Sequence, residues 1–268
     1  MVAFAANSVL TRLALGPRSV DAASFATIRL GSGAVTLLLI ATASRTARPP
    51  ESRAGWVSAA LLFSYAAAFS FAYLTLGTGT GALILFGAVQ ATMIIAALRG
   101  GERPHASEWV GLVLALGGLT ALVAPGLTAP APIGSALMAV AGISWGVYSL
   151  RGRGAANPLQ DTTANFIRAA PMALVLSLIL LSRVHLTTRG IILAVCSGAV
   201  ASGMGYVVWY AALRGLSATR AAIVQLSVPV LAALGGVLFL AETVSVRLII
   251  SGALILGGVA MAVAGRAR

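Results

Sequence analysis

Along this chain, long apolar runs alternate with short polar or Gly/Pro-rich breaks, and each run is about as long as a bilayer is thick. A helix needs about 20 residues to cross about 30 Å of hydrocarbon. Marking the breaks predicts ten such helices, approximately 1–16, 21–43, 55–76, 79–98, 108–125, 133–151, 161–182, 188–212, 217–239 and 243–264. The longest polar connection, "SRTARPPESR" (44–53), leaves no room for a soluble domain. The first run, "MVAFAANSVLTRLAL", has no basic segment before its apolar stretch, so it reads as a membrane helix rather than a signal peptide. The predicted fold is an all-α integral membrane protein with ten transmembrane helices.

The two halves of the pattern repeat. Ile28-Arg29 returns 139 residues later as Ile167-Arg168, while Glu102 returns as Glu242 and Gly117-Gly118 as Gly257-Gly258, each 140 residues later. The stretch "GALILFGAV" (81–89) aligns with "AAIVQLSVP" (221–229) at the same shift. This divides the chain into a unit over residues 1–126 and a second over 133–265, each with five spans. Five is odd, so the second unit is expected to lie upside down relative to the first. Inverted repeats of this kind belong to secondary transporters, with the substrate site near the midplane between the halves.

Composition sharpens the class. Hydrophobic residues make up 59% of the 268 positions and charged residues 9%, too little polar surface for a globule in water. The net charge of +12 comes entirely from arginines, most of them in the gaps between spans, with no nucleic-acid-binding motif beside them. Nucleic acid is therefore not an expected partner. With both termini inside, the inner loops and tail hold Arg45, Arg48, Arg53, Arg99, Arg103, Arg151, Arg153, Arg214, Arg220, Arg266 and Arg268. The outer loops hold only Arg18, Arg183, Arg189 and Arg247. This asymmetry predicts cytoplasmic termini, with the pair in the seventh loop pulling weakly the other way.

Arg29 and Arg168 stand apart because they lie inside spans, about 12 Å and about 10 Å from the entry points. A long side chain at that depth is expected to snorkel to the interface or to cap carbonyls of a neighbouring helix. The functional alternative is a gating latch or an anchor for a substrate carboxylate. Pro171 and Pro229 are expected to kink their helices and to serve as hinges.

Candidate binding residues are the polar and aromatic ones deep in the spans. Gln90 and Gln225 need partners near the bilayer centre, whether from a neighbouring helix or from a water-filled chamber. Trp145, Tyr148, Tyr65 and Tyr206 are expected to wall a chamber suited to amphipathic metabolites. Tyr73, Trp209 and Tyr210 read as interfacial belt or packing. Gly142, Gly146, Gly198, Ser202 and Gly205 form small-residue stripes that let helices approach. The glycine-rich faces of the fifth and tenth spans serve either internal packing or a homodimer, which the sequence does not decide.

All six acids, Asp21, Glu51, Glu102, Glu108, Asp161 and Glu242, fall in predicted loops or span ends. Without a carboxylate inside the membrane, uniport or exchange is expected rather than tight proton coupling. Glu102 and Glu242 read as caps for the helices that follow them. The chain has no lysine, hence no P-loop, and no H-E-x-x-H motif; His105 and His185 lie in loops. No enzymatic activity, metal or cofactor is expected. Cys196 lies alone inside a span and reads as filler. A non-transporting scaffold or accessory subunit, a channel, and a proton-coupled multidrug exporter are the competing readings.

Several stretches resemble the drug/metabolite transporter superfamily in its ten-helix EamA form. "FAANSVLTRLAL" (4–15) is similar to that family's first helix, with Phe4 where a tryptophan is common and Asn7 where an asparagine is usual. Ile28-Arg29 and Ile167-Arg168 resemble its arginine motif, and "ISWGVYSLRGR" (143–153) the opening of its second repeat. "WYAALRGLSATRAAIVQLSVPVLAALGGVLFLAET" (209–243) resembles its most recognisable stretch. One departure is Val89 where the second half has Pro229. The resemblance implies a multi-pass protein of the bacterial inner membrane exporting small metabolites, often amino acids, with an aromatic-amino-acid exporter as one form. It also adds Asn7 to the candidate substrate-binding residues.

Overall fold

Low polarity forces the backbone to satisfy its own hydrogen bonds, and helices do so within one segment. The structure, a computed structural model, describes residues 1–44, 55–100, 106–124, 129–152, 155, 157–213, 225 and 227–265. Among these there is no strand, only an isolated antiparallel bridge between Val20 and Leu186. The helices are α1 (Val2–Leu15), α2 (Ala22–Ala43), α3 (Trp56–Ala72), α4 (Thr78–Arg99), α5 (Ala106–Val123), α6 (Pro132–Arg151) and α7 (Pro158–Ile179). The eighth span runs as α8 (Thr188–Val195), a π-helical segment (Cys196–Met204) and α9 (Gly205–Leu213). After it come α10 (Ser227–Leu240) and α11 (Val246–Gly265). Their limits lie close to the sequence-predicted ones, except that residues 217–224 of the ninth span lie outside the described residues.

Four stretches are long and apolar enough to cross a bilayer by length and composition: Ala22–Ala43, Pro132–Arg151, Pro158–Ile179 and Thr188–Trp209. In the other helices the apolar stretch with described side chains is shorter, as in Thr78–Met93 and Val246–Met261. Large apolar side chains such as Leu39, Ile179, Leu238 and Phe239 are exposed around the bundle, a surface that lipid covers. Trp56 and Trp109 are exposed in the first turns of α3 and α5, where interfacial aromatics sit. The side chains of Glu108 and Tyr210, together with Glu51, Glu102, His105, Arg45, Arg48, Arg53, Arg103, Arg153, Arg214, Arg220, Arg266 and Arg268, lie outside the described residues.

Helix pairing joins the two halves throughout. α2 packs on α7 and α5 on α11. α3 packs on α6 and α7, while α1 and α2 pack on the π segment; α4 packs on α6, and α1 on α10. Missing side chains set several of these distances. A Cβ at Gly142 would meet Ala88 Cβ at 2.7 Å and the Leu85 carbonyl, and one at Gly146 would meet Thr92 Cβ at 2.9 Å. The α5–α11 seam uses Gly118, whose Cβ would fall 2.8 Å from Leu254 Cβ, and Gly258, 2.7 Å from the Ala115 nitrogen. Gly117 and Gly257 face open space, so one glycine of each pair serves internal packing.

A polar clamp ties distant segments at one end of the bundle. Arg12, in the last turn of α1, donates through Nη1 to the carbonyl of Tyr73, which ends α3, at 3.0 Å. Its Nε lies 3.5 Å from Glu242 Oε1. The Glu242 carboxylate accepts from Thr78, the first residue of α4, through the backbone N–H at 2.8 Å and the hydroxyl at 3.1 Å. A cation thus meets a helix C-terminus and an anion an N-terminus, each the favourable sense of the helix dipole. The clamp corrects the expectation that Glu242 caps the helix following it: Ser245 Oγ accepts from Leu248 N at 3.1 Å to cap α11, whereas Glu242 caps α4, 164 residues away in sequence. Tyr73, expected either in an interfacial belt or in packing, is fully buried against Phe69 and Gly81 and belongs to the packing.

Glu242→Ala is expected to destabilise the detergent-solubilised protein by about 2 kcal/mol, since a helix N-terminus and a guanidinium lose one shared acceptor. Glu242→Gln should lose less, because it keeps an acceptor oxygen. Thermal melting of the two variants beside wild type measures this, and equal melting of all three would refute the clamp's contribution.

Candidate functional site

The charged side chain buried among the described residues is Arg29, about a third of the way along α2. It does not snorkel: the residue is 3% exposed. Its Nη2 donates to Tyr65 Oη at 3.0 Å and its Nε to Ser202 Oγ at 3.2 Å. The guanidinium carbon lies 5.1 Å from the Tyr65 ring centroid and 5.0 Å from that of Phe69, so two π faces of α3 stabilise the cation. The remaining nitrogen, Nη1, is buried and has no hydrogen-bond partner. Packing overrides snorkelling here because α3 and the π segment close over α2 at this level, cutting the side chain off from the interface. Arg168, its counterpart in α7, is half-buried, so the two arginines of the repeated Ile-Arg pair do not share an environment.

The π segment supplies Ser202. Its sequence, "CSGAVASGM", is rich in Gly and Ser, which lets α2 approach closely: a Cβ at Gly198 would collide with the Arg29 carbonyl oxygen and Ser32 Oγ. Wide turns of this type occur mostly as bulges within α-helices, frequently at functional sites. Ser197 of the same segment donates to Asn7 Oδ1, which anchors α1. Asn7 is buried there as a packing partner of the π segment, one turn along α1 from Phe4.

Above Arg29 lies an aromatic cage centred on Trp145 of α6. Its ring centroid is 5.0 Å from Tyr65, 5.5 Å from Tyr148, 5.3 Å from Tyr206 and 6.4 Å from Phe4. The structure therefore brings together the four aromatics singled out in the sequence, from α3, α6 and α9. Phe4 and Phe166 complete the cage through Tyr206, at 5.8 Å each. Trp209 meets Phe4 edge-on at 6.0 Å and belongs to this packing rather than to a belt. Tyr65 touches both the guanidinium and Trp145, so cation and cage form one continuous site. At the other side, Asn165 Nδ2 donates to Tyr148 Oη at 3.3 Å, while its Oδ1 is buried without a partner.

Gln90, buried in α4, and Gln225 make no hydrogen bond or ring contact with a member of this cluster. Pro171 lies within α7, which continues from Pro158 to Ile179, and Pro229 is buried near the described start of α10. The sequence offers Ser202 only as part of a small-residue stripe, and it does not single out Ser197, Asn165, Phe69 or Phe166. A serine or asparagine in a small-residue run carries no periodic signal, and only the fold aims it at a partner. Among the described residues, no group of acids, histidines and cysteines could hold a metal ion.

Comparison with known proteins fits this architecture. The model of the EamA-like transporter family matches residues 132–264. An uncharacterized protein of Pseudomonas aeruginosa is 49% identical over 99% of this chain and 92% of its own length. The uncharacterized transporter YwfM of Bacillus subtilis is 27% identical over 91% of this chain and 85% of its own. A solved crystal structure shares the fold, with a TM-score of 0.68 and 21% identity over 97% of this chain and 95% of that one. With a helical bundle sheathed in apolar side chains, a near full-length relative and a matched family model, the chain belongs to the EamA-like transporter family, and it is a multi-pass membrane transporter.

Proposed function

We propose that the chain is a secondary transporter exporting small metabolites, amino acids first among them, by alternating access through a chamber between two inverted five-helix repeats, residues 1–126 and 133–265. The observation that carries this reading is the cage centred on Trp145, continuous through Tyr65 with the buried Arg29. Aromatic faces with a few fixed polar groups are what a site for amphipathic small molecules needs. The rings pack on one another in this structure, and a bound ligand would replace some of those contacts.

Helix pairing supports the repeats. Matching the spans in order, first to sixth through fifth to tenth, exchanges the α3–α6 contact with that between the π segment and α1, and α4–α6 with α10–α1. α2–α7 and α5–α11 map onto themselves. The carboxylates with described side chains, Asp21, Asp161 and Glu242, lie at helix ends, which favours uniport or exchange over proton coupling. Arginine placement favours a bacterial inner-membrane protein with cytoplasmic termini. On that orientation the Arg12–Glu242 clamp and the joined loops, where Asp21 N donates to the His185 carbonyl at 3.0 Å, lie on the periplasmic side. Opening to that side would require them to part.

The test is counterflow of labelled amino acids in proteoliposomes containing the purified protein. Saturable flux stimulated by unlabelled substrate on the far side is expected. No flux of any amino acid would support the scaffold reading, and flux that does not saturate would support a channel.

A further inference from the structure

Arg29 carries a permanent charge, and every partner the fold gives it is neutral: two hydroxyls and two aromatic rings. No carboxylate with a described side chain pairs with it: Asp21 accepts from the backbone of Ser24 and His185, Asp161 stands in the first turn of α7, and Glu242 belongs to the Arg12 clamp. A buried cation without a counter-ion is costly unless something else neutralises it. Nη1 is buried without a hydrogen-bond partner, and Nη2 of the same guanidinium bonds Tyr65, the residue that also touches Trp145.

We infer that the ligand itself brings the missing anion: a carboxylate binds Arg29 through Nη1 while the apolar body of the same molecule lies against Trp145. Guanidinium and carboxylate match in geometry and charge, and displacing neutral contacts leaves the hydroxyls of Tyr65 and Ser202 as further donors to the carboxylate. The consequence concerns charge. An α-ammonium is attached one carbon from the carboxylate, so it would be held close to the guanidinium with no described acid to offset the repulsion. The site thus reads the carboxylate arm of an amino acid and tolerates its ammonium. Aromatic monocarboxylates that lack the amine, or carry it acylated, bind at least as tightly as the free amino acid, and aromatic amines and amides bind far more weakly. This inference rests on the proposed chamber but goes beyond it, in naming a net anion as the preferred ligand.

The experiment measures affinities by ligand-induced thermal stabilisation of the full-length protein in detergent. The probes are 3-phenylpropionate, N-acetylphenylalanine, phenylalanine, phenylalaninamide and phenethylamine. In wild type the two anions are expected to bind at least as tightly as phenylalanine and tenfold or more tighter than the amide and the amine. In Arg29→Gln that preference should shrink to within twofold, while Arg29→Lys should keep part of it. An amine that binds wild type as well as 3-phenylpropionate overturns the inference, as does the absence of binding by either anion. So does an Arg29→Gln protein that melts like wild type and keeps the acid preference. If Arg29→Gln does not fold, the wild-type ranking alone decides. Counterflow separates this outcome from that of the chamber: Arg29-dependent anion binding without flux removes the carrier and leaves the inference, whereas phenylalanine exchange inhibited equally by acid and amide does the reverse.

Discussion

Gly198→Val should abolish the native fold, and with it any transport. The glycine sits in the π segment where a Cβ would meet the backbone carbonyl of Arg29, an atom that cannot rotate away, as well as Ser32 Oγ. Overpacking a tight interface costs about 1–3 kcal/mol where side chains can adjust, and more where only backbone movement relieves the clash. The displaced α2 would also lose the bond from Arg29 Nε to Ser202 Oγ at 3.2 Å, exposing a buried guanidinium to still fewer partners. The expected result is aggregated or degraded protein on size-exclusion chromatography after solubilisation. Gly117→Val is the control. Nothing lies within 4 Å of a Cβ there, so its melting temperature should stay close to wild type, the change within about 0.5 kcal/mol. If Gly198→Val eluted and melted like the control, the close contact of α2 with the π segment would be wrong.

Trp145→Ala should raise the half-saturation concentration for counterflow about tenfold or more. The indole is the hub of the cage, with four ring neighbours within 6.4 Å. Each aromatic pair is worth about 0.5–1.5 kcal/mol beyond its buried area, and a ligand ring on the same platform would draw on both terms. Losing 1.4 kcal/mol of binding is a tenfold change. Trp145→Phe keeps a platform of smaller area and should fall between the two. Melting temperatures of the same proteins distinguish a damaged site from a damaged fold: unchanged affinity in an alanine variant that melts like wild type would remove Trp145 from the site.

The two outcomes draw on different layers of information. Trp145, Tyr148, Tyr65 and Tyr206 were legible as candidates because an aromatic well inside an apolar span, away from the interfacial ends, needs a reason to be there. That they converge on one indole was not legible, since they come from three helices whose rotations about their own axes are unspecified by apolar sequence. The same limit explains Arg29. Its depth along α2 was readable, but snorkelling and burial differ only in which neighbour covers that face, and α3 and the π segment cover it.

The class of structure was already written in the composition. With 9% charged residues and apolar runs of bilayer length, helices satisfy every backbone group within one segment, so the order and approximate limits of the apolar helices followed from composition and spacing. The tertiary structure alone decided the pairings: that Glu242 caps α4 instead of its own following helix, that Gly118 and Gly258 close a seam while Gly117 and Gly257 do not, and that Ser202 meets Arg29. The physical reason is periodicity. Hydrophobicity marks where a helix begins and ends, but in a chain apolar on every face it leaves no stripe to say which face meets which neighbour, and that choice belongs to shape and to scattered polar groups.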